Sequence, residues 1–197
     1  MIPAVILAAG KSSRMGRPKA ALPIGARDTF VTRIIRTLDE AQVDDVAVVV
    51  GHEAATVVEA IDAAGLHPRI VMNEQYESGQ LSSVLAGLRA IDRPGVQGML
   101  LTLVDVPLVS AKTVRTVIDR YRTAQPLVVR PVNGDLHGHP ILIDRRLFPL
   151  LRAADPDEGI KPVIRAHVSA AGDVPVTDEG AFLDIDTPED YARFSRG

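Results

Sequence analysis

Residues 4–19 read AVILAAGKSSRMGRPK, and the change of character at Gly10 decides how the chain folds. The run Ala4–Ala9 is short, apolar, partly β-branched and closed by a glycine, so it reads as a buried strand. Gly10, Ser12, Ser13 and Gly16 follow, small residues whose backbone can approach another molecule closely. Lys11, Arg14, Arg17 and Lys19 then set cations around that backbone. Backbone N–H groups with Arg and Lys beside them are what a polyphosphate needs. The expectation is a phosphate cradle at the mouth of a parallel sheet.

The loop fits neither common glycine motif. A Walker A loop requires Lys-Ser/Thr directly after its second glycine, where this chain has Arg17-Pro18. The dinucleotide pattern requires G-x-G-x-x-G, and Gly10 is followed by Lys11-Ser12. Scattered surface cations would give the same letters. The position after the first strand of an α/β sheet, where ligands bind at strand carboxyl ends, favours the ligand reading.

Beyond this loop, apolar runs recur at Val46–Val50, Ile70–Met72, Met99–Val104, Leu127–Val129 and Ile141–Ile143. Their consecutive apolar positions suit strands covered on both faces. Helical stripes lie between them: Val31, Ile34, Ile35 and Leu38; Val58, Ile61 and Ala64; Leu81 to Ile91; Val114, Val117, Ile118 and Tyr121. Strand and helix thus alternate over about the first 125 residues, which predicts a mostly parallel, doubly wound sheet. In the proline-punctuated remainder, Asn133-Gly134 predicts a hairpin and with it an antiparallel strand. Phe182–Asp186 alternates like a strand, and Thr187-Pro188-Glu189-Asp190 reads as a helix start.

Composition sets bounds on function. The 197 residues, 46% hydrophobic and 4% aromatic, suit one domain with an aliphatic core. A net charge of -3 offers no general attraction to nucleic acid or an anionic membrane. With no cysteine there is no disulfide, thiolate metal site or cysteine nucleophile. No apolar run is long enough to span a membrane, and the N-terminal run is too short for a signal peptide, so the expected location is cytoplasmic.

Four further stretches could carry chemistry. Asp105 closes the Leu101–Val104 run and would project into the same crevice as the first loop, offering the oxygen that Mg²⁺ prefers; it could equally cap the following turn. Asp184 and Asp186, two apart on a strand, would share a face and call for a cation. Alternatively they are a solvated strand end, with Asp186 helping Thr187 cap its helix. Glu77–Ser83 places hydroxyls and free N–H groups at a helix start, suited to a base, a ribose or a phosphate, or to ordinary capping. His139, in Gly138-His139-Pro140, has no visible partner and is not read as a general base.

Taken in order, LAAGKSSRMGRPK, SGQLSSVLAGL, LVDVPLV, GHP and LDIDTPEDY make the chain resemble the molybdenum cofactor nucleotidyltransferases over nearly its whole length. Within them it is most similar to the cytidylyltransferase branch, related to the sugar and isoprenoid nucleotidyltransferases. The resemblance implies one nucleotidyltransferase domain over residues 1–197, with a Rossmann-like three-layer α/β fold and an antiparallel strand in the C-terminal part. It implies that Leu7, Ala8, Ala9 and Gly10 line base and ribose, that Arg14 and Lys19 hold the triphosphate, and that Asn73, Gly79, Ser82 and Ser83 border the nucleoside. Asp105 matches the family's Mg²⁺ aspartate, Asp184 and Asp186 fall near the metal or the pterin, and His139 lies toward the acceptor.

The implied reaction transfers CMP from CTP to the phosphate of molybdopterin, with Arg14, Lys19 and Asp105 as its catalytic groups and a molybdenum hydroxylase apo-enzyme as a possible client. Guanylyl-transferring relatives carry a glycine where this chain has Ala9 and an aspartate where it has Pro18. The stretch Asp157–Lys161 keeps only the acidic residue and Gly159 of the cytidylyltransferases' Gly-Asp-x-Gly-Ala-Arg, with Lys161 in place of the cation. That departure bears on the acceptor more than on the nucleotide. GTP in place of CTP, a phosphosugar or phosphoalcohol acceptor, and a non-catalytic cofactor carrier are the alternatives.

Overall fold

The computed structural model describes residues 1–12, 15–43 and 45–194. In chain order its strands and helices are β1 (Ala4–Leu7), β2 (Pro23–Ile24), β3 (Asp28–Thr29), α1 (Phe30–Glu40), β4 (Val46–Val50), α2 (Ala54–Ala63), β5 (Arg69–Met72), α3 (Gln80–Ile91) and β6 (Gly98–Leu103). There follow α4 (Ala111–Ala124), β7 (Val128–Asn133), β8 (Leu136–His137), β9 (Ile141–Asp144), α5 (Phe148–Arg152), α6 (Lys161–His167), β10 (Asp173–Pro175) and α7 (Pro188–Phe194).

The main sheet runs β10-β7-β9-β6-β1-β4-β5, with β8 paired to β7 and the short β2–β3 pair standing apart. β1 lies between β4 and β6, parallel to both, while β9 is antiparallel to β6 and β7. This is the expected mostly parallel α/β sheet with its antiparallel element in the C-terminal part. The Asn133-Gly134 turn joins β7 to β8, with Gly134 at φ 58°, a value glycine adopts without strain.

Consecutive buried residues of β1 serve opposite layers, because side chains alternate along a strand. Ala4 and Ile6 pack under Ile34, Leu38, Val114 and Val117, from α1 and α4. Val5 and Leu7 pack under Leu81, Val84, Leu88 and Phe148, from α3 and α5. Gly87 lets α3 lie against β1, since a Cβ there would collide with the Val5 side chain. At the far end of β9, Asp144 accepts hydrogen bonds from the Tyr121 hydroxyl of α4 (2.8 Å) and from the Arg146 guanidinium (2.9 Å).

The reading of Phe182–Asp186 as a strand is corrected. Glu179–Phe182 is a 3₁₀ turn, and Leu183–Asp186 runs on without joining a sheet. Its apolar alternation is satisfied instead by burying Ile185 against Leu22, Ile24 and Phe30. The helix start at Thr187 is as expected. The Thr187 hydroxyl accepts from Asp190 N (3.1 Å), and the Asp190 carboxylate takes Thr187 N (3.1 Å), so Asp190 rather than Asp186 completes the cap. Among the described residues no helix is long and apolar enough to cross a membrane.

Candidate active site

Leu7 and Leu103 pair in register at the ends of β1 and β6, so the loops that follow these strands open on the same sheet edge. Between them lies a cleft of about 340 Å³. One wall is the first loop, from Leu7 to Gly10 with Ser12, Pro18 and Lys19. The opposite wall is Tyr76, Gly79, Gln80 and Ser83, and Leu103, Val104 and Asp105 close the end.

The first loop is shaped locally. Ser12 turns it at φ 49°, and the Ser12 hydroxyl accepts from Lys19 N at 3.0 Å. Ala20 and Leu22 then enter the core and fix the backbone on which Lys19 stands. Arg14 and Ser13 lie outside the described residues. Lys11 does not line the cleft; it pairs with Glu77 at 2.5 Å, in the segment between Tyr76 and Gly79.

That opposite wall begins at Gly79, whose φ of 91° suits glycine, and α3 starts there without a side-chain cap. Helix starts of this kind offer backbone N–H groups to anions and polar ligand edges, and Gly79, Gln80 and Ser83 of this one line the cleft. Ser83 reaches the cleft, whereas Asn73 and Ser82 do not line it. Asn73 is 4% exposed and fully engaged. Its amide donates to Ser82 Oγ (2.8 Å) and Ser83 Oγ (3.0 Å), and its Oδ1 accepts from Gln75 N (3.1 Å). Asn73 therefore braces the wall from behind, and its side chain does not line the cleft.

Gly51, just after β4, lets the floor close. A Cβ there would stand 2.7 Å from Tyr76 Cβ and 3.0 Å from Ala9 Cβ. Tyr76 and Gln80 were not singled out by the sequence reading. Gln80 sits inside the SGQLSS stretch that announces the wall, while nothing local marks Tyr76.

At the charged end, Ile185 N donates to Asp105 O at 2.8 Å and draws the C-terminal segment beside β6. With Ile185 turned into the core, its neighbours flank the site. Asp186 Oδ1 lies 2.6 Å from Lys19 Nζ, and Asp105 Oδ2 lies 3.8 Å from the same nitrogen. Burial pushes the Asp105 carboxyl up to about 6; Lys19 pulls the other way, and Asp184 and Asp186 push further. Asp105 Oδ1 is buried without a hydrogen-bond partner among the described residues.

His139 packs behind this end and does not line the cleft. Its N donates to Ala181 O at 2.8 Å, and burial holds its imidazole pKa below the usual value, against the opposing effects of the Leu101 backbone and Asp184. Lys161, exposed at the start of α6, does not line the cleft either.

A Rossmann-like sheet that opens a glycine-serine loop, an uncapped helix start, a lysine and carboxylates on one edge is the scaffold of a nucleotidyltransferase. The MobA-like NTP transferase domain matches residues 4–171, and the chain belongs to that family. Relatives carry different names. A molybdenum cofactor guanylyltransferase of Rhizobium meliloti is 32% identical, over 95% of this chain and 88% of that protein. Nicotine blue oxidoreductase of Paenarthrobacter nicotinovorans is also 32% identical, over 96% of this chain and 94% of that one. Among solved structures, Rv0371c of Mycobacterium tuberculosis superposes with a TM-score of 0.81 at 28% identity, covering 100% of this chain and 97% of that one. A manganese complex of the same protein matches with a TM-score of 0.77 at 26% identity, covering 100% of this chain and 98% of that one.

Proposed function

We propose that the protein transfers CMP from CTP to the phosphate of molybdopterin, releasing pyrophosphate, with Mg²⁺ as its metal and a molybdenum hydroxylase apo-enzyme as the product's client. The observation that carries the chemistry is the meeting of Lys19, Asp105 and Asp186 at one end of a cleft whose wall is the start of α3, a helix without a side-chain cap. An acceptor phosphate oxygen attacks the α-phosphorus, a bond to that oxygen forms, and the bond to the bridging oxygen of the pyrophosphate breaks. Both reactants are anions, so the work of the protein is positioning and charge compensation. Lys19 offsets the charge on the departing pyrophosphate, the loop after β1 and the start of α3 orient the nucleotide, and no protein base is required of an already ionised phosphate.

The residues at the charged end fit a divalent ion. Asp105 Oδ1 is a hard oxygen, buried and without a hydrogen-bond partner among the described residues. Among the described residues no three acidic or imidazole groups converge as a ready cage. Mg²⁺ takes one or two carboxylates and completes its shell with phosphates and water, and Asp105 with a neighbouring aspartate offers that much. Asp105 would hold the ion with Asp186 or Asp184 beside it, and the ion would supply Lewis-acid neutralisation of the phosphate oxygens. The manganese complex of Rv0371c supports this reading.

For the base, Ala9 and Pro18 both line the cleft, and they are the two positions at which the family resemblance sets guanylyl-transferring relatives apart. The Ala9 methyl, close to the Gly51–Tyr76 wall, narrows the space and suits a pyrimidine. One methyl discriminates by only about 1–3 kcal/mol, so a modest preference is expected. CTP should be favoured over GTP by kcat/KM in a competition between the two, and Ala9→Gly with Pro18→Asp should move the ratio toward GTP. Preference of the wild type for GTP would install the alternative that the guanylyltransferase relatives support. Pyrophosphate release assayed with each nucleotide against a panel of acceptor phosphates tests the whole reading. No release with any pair would favour the carrier.

Gly51→Ala should raise the nucleotide KM by roughly three- to tenfold in steady-state assays, because Tyr76 must give way to the new methyl. An unchanged KM would remove Tyr76 from the nucleotide wall.

A further inference from the structure

We infer that Lys19 occupies, in the free protein, the seat between Asp105 and Asp186 into which a divalent cation enters, so that metal binding displaces the ammonium and hands it to the phosphates. The inference rests on the nucleotidyl-transfer reading and concerns how its site is armed.

The geometry is specific. Lys19 Nζ lies 2.6 Å from Asp186 Oδ1 and 3.8 Å from Asp105 Oδ2, with the lysine side chain only 10% exposed. The backbone of Lys19 is held by the Ser12 hydroxyl and by Ala20 in the core, so the base of the side chain cannot follow a moving ligand. The tip can, since a lysine is a point charge on a flexible four-carbon stem. An ion drawn to Asp105 Oδ1 would meet the ammonium on the other oxygen of the same carboxylate. Two cations a few ångströms apart in a partly buried site repel strongly, so they exclude each other unless new anionic oxygens arrive.

The nucleotide brings those oxygens. Without it, the ammonium and the metal compete for one pair of carboxylates. With it, the ammonium has phosphates to move to and the seat falls open. Metal and nucleotide then favour each other through Lys19, and the coupling is reciprocal. A lysine acting simply as a standing phosphate cation would bind nucleotide equally well with metal or without it.

Mn²⁺ and a non-hydrolysable CTP analogue, each titrated by calorimetry against the wild type and Lys19→Met, distinguish the two. Lys19→Met should bind Mn²⁺ alone about tenfold more tightly than the wild type, while Lys11→Met, which gauges the general charge effect, shifts it less than about twofold. Lys19→Met should also lose about tenfold in affinity for the analogue with Mn²⁺ present, but less than about threefold in EDTA, where the wild-type lysine is still tied to its carboxylates. Equal Mn²⁺ affinity in the wild type and Lys19→Met, or equal analogue losses with and without metal, would overturn the inference. Lys19→Gln, which keeps a hydrogen-bond donor for Asp186, repeats the comparison if Lys19→Met does not fold. Mn²⁺ binding indifferent to Asp105→Asn would bring down the metal site itself. Binding that depends on Asp105 but not on Lys19 would bring down the displacement alone.

Discussion

Asp105→Asn is expected to lower kcat by about two to three orders of magnitude without lowering the melting temperature. The substitution keeps the side-chain volume, and the backbone carbonyl that receives Ile185 N is untouched. What disappears is the negative charge of a carboxylate whose buried Oδ1 has no hydrogen-bond partner among the described residues. A folded carboxyl pushed up to about 6 lies above the unfolded value of about 3.9. Its ionised form therefore costs stability as pH rises through the interval between those values, the sign opposite to that of a well-paired aspartate. At pH 7.5 the variant should melt at or slightly above the wild type. Loss of turnover with retained melting is what a residue kept for chemistry shows. Wild-type turnover at limiting Mg²⁺ would remove Asp105 from the metal role.

Asp144→Ala is expected to cost roughly 2–3 kcal/mol of stability, lowering Tm by roughly 5–10 °C, with kinetic constants near wild type below the transition. Asp144 is 5% exposed at the end of β9. It gathers the Tyr121 hydroxyl of α4, the Arg146 guanidinium and Arg146 N (2.7 Å), tying a helix of one layer to the sheet. Burial pushes its carboxyl up, but the Arg146 donors and Tyr121 outweigh that and hold it below the usual range. The stabilisation is thus present above the unfolded pKa of about 3.9 and fades as pH falls through the folded value. Chemical denaturation at pH 7 and at about pH 3 checks this. The gap between wild type and variant should shrink in acid, and a constant gap would mean that the contribution is packing alone.

The elements legible in the sequence are those whose signal is local. The Ala4–Ala9 run ends at a glycine, the Leu81–Ile91 stripe has helical period, Asn133-Gly134 makes its turn and Thr187-Pro188 starts its helix, each within a few residues. The first loop and Asp105, at the ends of apolar runs, and the Glu77–Ser83 stretch, at a helix start, are legible locally too, and the structure sets residues of all three along one cleft. Alternation misled at Phe182–Asp186, since an extended segment plugging one isoleucine into a core has the same letters as a strand. β10, three residues long and paired only through its position beside β7, carries no periodic signal at all.

What tertiary structure alone decided is who meets whom. The resemblance sets Asn73 beside the nucleoside, and in the fold its amide is spent on Ser82 and Ser83 of α3. Tyr76 becomes a cleft wall only because Gly51, from another strand end, leaves room for it. Lys19 and Asp186, separated by 167 residues, form a 2.6 Å pair because Ile185 is pinned to Asp105, just past the end of β6. Local propensity reads the backbone of a segment and the face it buries. The chemistry of this site lies in contacts between segments, which the chain specifies only through the packing of its whole core.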